Sequence, residues 1–461
     1  MGKSCPRSYD GAMNIERSSQ LPVSAPVVFD WFSRPGAIQR LLPPWLPLKV
    51  IEEAGSLKDG AAVLGLPGGL LWNAKHQPEG FAQNRSFVDQ LEPVGLRGLP
   101  ARAVRWRHEH YFEPAGPQST TVRDCIESNM PGRQIESMLA YRHRQLADDF
   151  AAHHRAAQSG LEPQVIAVTG SSGLVGQALC AFLSTGGHRV IKLVRHAPNT
   201  AGERRWDPAD PDESLLEGCD AVIHLAGASI FGRFSQAHRQ AIASSRIEPT
   251  RSLALLAARS DVRTFISASA IGFYGASAGP DPLDEFDSPP AGTPDFLSGV
   301  VQRWEQAAEE GGGSMRRVQI RTGVVLSPKG GMLAVLRPIF SAGLGGPLGG
   351  GQQMLSWIGL DDLLDIYHRA LWDSQLAGPV NAVAPQPVSN AEFTRSLARA
   401  VHRPAVIPVP GAAPKLVLGA EGSQLLAMAD QRIVPRKLLD SGHQFRNERI
   451  ELELAHSLGA S

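Results

Sequence analysis

The stretch VIAVTGSSGLVGQAL, Val165 to Leu179, decides how this chain is read. A run of β-branched apolar residues (Val165, Ile166, Val168) leads into Gly170, Gly173 and Gly176, and an apolar helical pattern follows at once. Strand, tight glycine turn and helix N-terminus in that order form a cradle for the pyrophosphate of a dinucleotide. Gly170 would supply the turn, Gly173 would let backbone N–H groups reach phosphate, and Gly176 would let the helix lie close to the strand. Gly170, Ser171, Ser172, Gly173, Leu174, Val175 and Gly176 are accordingly the expected cradle. The plainer alternative is an ordinary structural turn, but here both the preceding strand and the following helix are legible.

Working outward, apolar strands alternate with amphipathic helices from Gln164 onward, the βαβ rhythm of a parallel sheet. The strands are QVIAVTG, HRVIKLVR, CDAVIHLAG, RTFISASAIGFYG and RVQIRTGVVL, with helices expected over Gln236–Ala258 and Pro294–Glu310. The second strand ends at Arg195, roughly 20 residues past the glycines, where an acidic residue would bind a ribose 2′-hydroxyl and a basic one suits a 2′-phosphate. Arg195 can pair bidentately with phosphate, so NADP(H) is expected over NAD; a solvated arginine at a strand end is the alternative. The cluster Gly343–Gly351 reads as a mobile loop, Asp361 and Asp362 as first-turn caps of a helix, and His224 as a core histidine.

With 461 residues the chain holds two or three domains, and an apolar fraction of 43% is ordinary for folded proteins. Lys plus Arg and Asp plus Glu number 45 each, so no global field favours nucleic acid or an anionic membrane. No apolar run is long enough for a membrane span, and MGKSCPRSYDGAMNIERSS has no apolar core of a secretory leader. Cys5, Cys125, Cys180 and Cys219 are scattered and read as free thiols in a reducing cytoplasm.

The second half resembles an atypical, extended short-chain dehydrogenase/reductase, of the epimerase-like YfcH type. The resemblance rests on TGSSGLVG, WDP (Trp206–Pro208), DAVIHLAG (Asp220–Gly227), SSRIEPTRSL (Ser244–Leu253) and SASAIGFYG (Ser267–Gly275). It continues through DFLSGVVQRWE (Asp295–Glu305), RTGVVL (Arg321–Leu326), Gly345–Leu364 and Gly378–Phe393. It implies a Rossmann-type doubly wound sheet, with Leu225, Ala226 and Gly227 along the adenosine ribose and Thr322 and Gly323 near the nicotinamide. The segment Ala405–Phe445 resembles that class's small C-terminal module. Working members use a Tyr and, after three intervening residues, a Lys that lowers the phenol's pKa. The matching positions here are Leu297 and Val301 (Phe296 and Val300 if the register slips by one), none able to carry a proton. The supporting asparagine is replaced by Arg246, which could bind a substrate anion or the cofactor phosphate, or form a helix-surface ion pair. Ser269 remains as the catalytic candidate, Ser267 as a second pocket residue, and Tyr274 as a packing residue. The expected function is an NADP(H)-binding epimerase- or reductase-like enzyme without the relay, acting on a small-molecule substrate; a non-catalytic sensor or scaffold is the alternative.

The first half resembles the SRPBCC (START-like, polyketide cyclase-like) superfamily through SRPGAIQRLLPPW, FVDQL, WRHEHYF and YRHRQL. That implies an α+β helix-grip domain enclosing an apolar-ligand cavity. The expected division is a tail over 1–18, this domain over 19–154, a linker over 155–163, and the nucleotide domain over 164–461 with its small module at about 405–450. His108 and His110 alternate on one strand face, as a metal or acid–base pair or as a polar sheet face; no third ligand is evident nearby, so no metal is expected. Trp31, Trp45, Trp72, Trp106 and Phe112 could line a cavity but fit core packing. Arg142 and His143 read as surface or rim residues of a long helix. A homodimer is left open.

Overall fold

This computed structural model describes residues 13–277, 279 and 281–460; Cys5 lies outside them. The chain divides into two compact units, one built on residues up to Arg155 and one on most of the remainder.

The first unit is a seven-stranded antiparallel sheet in the order β1-β7-β6-β5-β4-β3-β2. Its strands are β1 (Met13–Leu21), β2 (Lys49–Glu52), β3 (Ala61–Gly65), β4 (Leu71–His76), β5 (Ser86–Leu91), β6 (Trp106–Gly116) and β7 (Ser119–Ser128). Helices α1 (Ala25–Ser33) and α2 (Ala37–Leu41) connect β1 to β2, and α3 (Gly132–Gln158) follows β7. Period-two alternation sends Phe87, Phe112 and Val122 inward, where they meet Phe29 and Trp31 of α1 and Leu146 and Phe150 of α3. Trp31 and Phe112 are core residues, as expected.

Four expectations need correction. Residues 13–18 are not tail: Met13–Ser18 already pair with β7, and Ile15 packs against the cluster of Ile126, Ile135 and Leu139. The interval expected as a linker starts as helix, because α3 continues through Gln158. Arg142 and His143 are not rim residues: α3 turns them towards β7, where their side chains are 14% and 4% exposed. Cys125 is disulfide-bonded while Cys180 and Cys219 are free and buried, so the reading of four free thiols fails, and with it one ground for a reducing compartment.

The second unit is a parallel sheet of β8 (Val165–Thr169), β9 (Arg189–Val194), β10 (Glu203–Arg205), β11 (Ala221–His224), β12 (Thr264–Ala270), β13 (Arg316–Thr322) and β14 (Gly378–Ala382). The order β10-β9-β8-β11-β12-β13-β14 is doubly wound, with its switch point between β8 and β11. Every residue of β11 is buried, which is why DAVIHLAG reads as a continuous apolar run rather than an alternating one. Helices α4 (Leu174–Thr185), α5 (Gln236–Ser244), α6 (Ile247–Arg259) and α7 (Phe296–Glu309) belong to its crossovers. The Asp295 carboxylate caps α7 by accepting from Ser298 N at 2.9 Å.

The single helix expected over Gln236–Ala258 is two, broken at Ser245–Arg246. Pro249, in the first turn of α6, has no N–H to continue α5, and sits where a helix start tolerates it. The glycine-rich loop is fastened: Gly349 N donates to Val409 O at 2.9 Å, Val409 N to Pro347 O at 2.9 Å and Leu348 N to Asn390 Oδ1 at 2.8 Å. Asp362 does not cap its helix, which runs from Leu360 to Trp372. Its buried carboxyl instead accepts from Arg446 N at 2.6 Å and Asn447 N at 3.2 Å. Among the described residues no helix is long and apolar enough to cross a membrane.

Candidate functional site: the switch point of the parallel sheet

The glycine turn stands at the C-terminal ends of β8 and β11. Gly170 has φ +65°, and a Cβ there would lie 2.8 Å from Leu225 C and 2.9 Å from Ala226 N, both backbone. A Cβ on Gly176 would lie 2.2 Å from Gly170 O, so that glycine is set by the approach of α4 to the turn. Gly173 differs: a Cβ would meet only Gly170 O, at 3.3 Å, and would otherwise enter open space at the start of α4. The helix N-terminus is therefore uncovered where an anion would sit, and the residues fit a dinucleotide pyrophosphate.

Thr169 fastens the two loops of this cleft. Its Oγ1 accepts from Leu225 N at 3.0 Å and Ala226 N at 3.2 Å, and lies 2.8 Å from His224 Nδ1. With two donors already on the oxygen, the hydroxyl hydrogen goes to Nδ1, which leaves the proton of a neutral ring on Nε2. Burial pushes the pKa of His224 down to about 3, in keeping with a neutral ring. His224 is thus the core histidine the sequence suggested, though its Nε2 has no hydrogen-bond partner.

Two arginines border the cleft. Arg195 is exposed immediately beyond β9, with no partner among the described residues. Arg246, freed by the break before α6, turns its guanidinium over Gly227, where a Cβ would lie 3.0 Å from Arg246 Cζ. It donates to Ala228 O at 2.9 Å and Ile242 O at 3.2 Å, stands over the Trp304 ring at 5.2 Å, and meets no carboxylate among the described residues. Burial lowers its pKa to about 10. Of the three roles open to Arg246 in the sequence, the ion pair is the one the structure removes.

The structure gathers a second set of residues at β12, α7 and β13. Ser269 is buried and donates to Glu305 Oε1 at 2.6 Å. Arg321 grips the same carboxylate through Nε at 2.9 Å and Nη2 at 2.8 Å, and reaches the Tyr274 hydroxyl through Nη1 at 2.9 Å. The Tyr274 hydroxyl also lies 2.8 Å from Asp284 O and 2.9 Å from Asn381 Oδ1, and burial pushes its pKa up to about 12. Tyr274 is a fully buried neutral phenol, as its packing role required. Glu305 and Arg321 sit inside quoted motifs, yet nothing in the linear sequence marked them.

The other named positions spread out. Ser267 is buried and donates to Ala268 O at 3.0 Å. Thr322 donates to Ile320 O at 3.2 Å. Gly323 is packed against protein, its Cβ position lying 2.7 Å from Val383 and 2.8 Å from Ser356 O. Gly272 faces Leu297 and Val301, whose side chains are apolar.

An uncovered helix N-terminus at the switch point of a doubly wound parallel sheet defines a nucleotide-binding α/β protein. Comparison with known proteins narrows this. The profile of the NAD dependent epimerase/dehydratase family matches residues 166–381, and one described as a domain of unknown function (DUF1731) matches 409–456. Epimerase family protein Mb2239 of Mycobacterium bovis is 42% identical over 297 residues, covering 64% of this chain and 97% of its own length. A crystal structure of the nucleoside-diphosphate sugar epimerase from Corynebacterium glutamicum is 40% identical, with a TM-score of 0.83 over 96% of this chain and 90% of that one. The human epimerase family protein SDR39U1, solved with NADPH, is 31% identical, with a TM-score of 0.58 over 64% of this chain and 100% of that one. The chain belongs to the epimerase/dehydratase family.

Proposed function

We propose that the second unit binds NADP(H) and works as an epimerase- or reductase-like enzyme of the atypical short-chain dehydrogenase class, on a small-molecule substrate. The observation that carries this reading is the uncovered amide face at Gly173 beside two arginines, Arg195 and Arg246, without carboxylate partners among the described residues. Residues 170–176 hold the pyrophosphate, Arg195 takes the 2′-phosphate, and Leu225, Ala226 and Gly227 lie along the ribose under the Arg246 guanidinium. When bound, the nicotinamide supplies or accepts a hydride. The human relative solved with NADPH supports the phosphate-bearing carrier. Calorimetric titration tests it: NADPH should bind more tightly than NADH, and equal affinities or a preference for NADH would reject the assignment.

In this reading the catalytic end lacks a tyrosine–lysine relay, since Leu297 and Val301 hold no proton. Ser269 keeps its own hydrogen on Glu305 and offers Oγ lone pairs to a substrate hydroxyl, so it orients the substrate. A water or a substrate group must then move the proton. That arrangement also favours a second reading, a non-catalytic NADP(H) sensor or scaffold. Panels of carbonyl compounds and sugar nucleotides separate the two: NADPH oxidation supports the enzyme, and tight binding with no turnover supports the sensor. For the first unit, the seven-stranded sheet with its 27-residue helix supports an SRPBCC-like, apolar-ligand-binding domain. Native mass spectrometry of the full chain tests for a copurifying apolar molecule.

A further inference from the structure

We propose that the first unit carries a site for a divalent transition-metal ion of the zinc and iron class, built from Asp89 on β5 and His108 and His110 on β6. It stands independently of the nucleotide assignment. Alternation along β6 places both imidazoles on the inner face of the sheet, and the antiparallel register sets Asp89 opposite His108 and Asp124 opposite His110. The third ligand is therefore invisible in the linear sequence and arrives from the neighbouring strand.

Asp89, His108 and His110 each offer one ligand atom, all within 4.8 Å of one another. Asp89 Oδ2 lies 3.3 Å from His110 Nε2 and 3.7 Å from His108 Nδ1. Bonds of about 2.0–2.2 Å to a tetrahedral ion set neighbouring ligand atoms about 3.3–3.6 Å apart. The observed separations are close to that spacing and longer than the usual 2.9 Å or so of an N–H···O hydrogen bond.

The far sides of both rings meet a single carboxylate. Asp124 Oδ1 lies 2.7 Å from His110 Nδ1 and 3.4 Å from His108 Nε2. Metal-bound histidines characteristically turn their second nitrogen to a carboxylate, which fixes the tautomer. If His110 donates through Nδ1–H to Asp124, its Nε2 faces the Asp89 carboxylate at 3.3 Å, where either a second ring proton or a cation bound between the two atoms satisfies both. His108 Nε2 is sealed from solvent with no hydrogen-bond partner, and the ring is 4% exposed.

The groups facing the cluster come from every packed element. Asp124 Oδ2 lies 3.3 Å from His143 Nε2 and 3.8 Å from Arg142 Nε on α3, and His76 on β4 faces Asp89. A doubly charged ion balances the two carboxylates. Three protein ligands leave coordination positions open for water or a ligand oxygen, the pattern of reactive rather than purely structural sites.

The full-length protein, stripped with chelator and dialysed, should take up one Zn2+ per chain in calorimetry. Co2+ in its place should give the visible absorption bands of a low-symmetry site. Asp89→Asn and His108→Ala should each abolish stoichiometric uptake. Asp124→Asn, which removes only the outer partner, should weaken it about 10–100-fold. Retained NADPH binding and far-ultraviolet circular dichroism check that each variant is folded. Absence of stoichiometric Zn2+ and of Co2+ bands in the wild-type protein overturns the proposal whatever the variants do. So does wild-type affinity in folded His108→Ala.

Discussion

Ser269 donates its hydroxyl hydrogen to Glu305 across 2.6 Å, and Arg321 holds both oxygens of that same carboxylate from the next strand. One polar cluster thus locks β12, α7 and β13 together at the end of the sheet where the substrate is proposed to bind. The Arg321 and Glu305 side chains are only 4% and 13% exposed, so the pair has lost most of its water, and each charge depends on the other.

Removing one member should therefore cost much more than removing a surface pair. Glu305→Ala is expected to destabilise the protein by about 3–5 kcal/mol, because the Arg321 charge stays buried without its partner. Glu248→Gln, at a carboxylate 71% exposed, should change stability by less than about 1 kcal/mol. Urea denaturation of both variants measures this, and equal losses would refute the view that the pair is desolvated.

The glycines of the turn should separate folding from binding. Gly170→Ala forces a side chain into φ +65° and against the Leu225 backbone, so stability should drop by at least about 1–3 kcal/mol. Gly173→Ala adds a methyl group to open space, and stability should stay within about 1 kcal/mol of wild type while NADPH affinity falls. Thermal denaturation and calorimetry on the two proteins check the contrast. Unchanged NADPH binding in Gly173→Ala would place the pyrophosphate elsewhere.

Charge reversal at Arg195 should act on one phosphate. Arg195→Glu is expected to weaken NADPH at least tenfold, about 1.4 kcal/mol, with little effect on NADH. Arg246→Met keeps the hydrophobic stem over Trp304 and removes the charge; it should weaken both dinucleotides alike if the guanidinium serves the shared part of the carrier. Competition binding with the two coenzymes reads both effects, and a uniform loss in Arg195→Glu would remove the case for 2′-phosphate recognition.

His224 should make the protein acid-sensitive. The folded ring has its pKa lowered to about 3 by burial, with the Arg246 charge adding to the effect, while the unfolded chain protonates near 6.5. Protons then bind the unfolded state preferentially. The stability of the neutral ring is complete above the unfolded value and declines as pH falls from about 6.5 towards 3, by at most about 1.4 kcal/mol per unit. His224→Asn keeps an acceptor for Thr169 but cannot be protonated, so its stability should fall less steeply between pH 6.5 and 4. Parallel urea titrations across that range decide it; identical slopes would mean that the histidine is hydrated in the native state.

What the sequence determined by itself was local in origin. The glycine spacing after Val165–Thr169 specified strand, turn and helix, because backbone geometry there leaves little choice. The buried parallel strands announced themselves as unbroken apolar runs. The alternation of His108 and His110 showed a shared face. What it could not show was which residues from distant segments would meet. Asp89 and Asp124 join the histidines only through antiparallel register, and Glu305 reaches Ser269 and Arg321 only when α7 packs beside β12 and β13. Apolar periodicity survives the two-residue break at Ser245–Arg246, so Gln236–Ala258 reads as one helix, and Arg142 and His143 read as rim residues because a polar side chain shows its burial only when its partners are in place. Period and propensity are properties of neighbouring residues along the chain; the meeting of charges is decided by packing, where a buried carboxylate must find its cation.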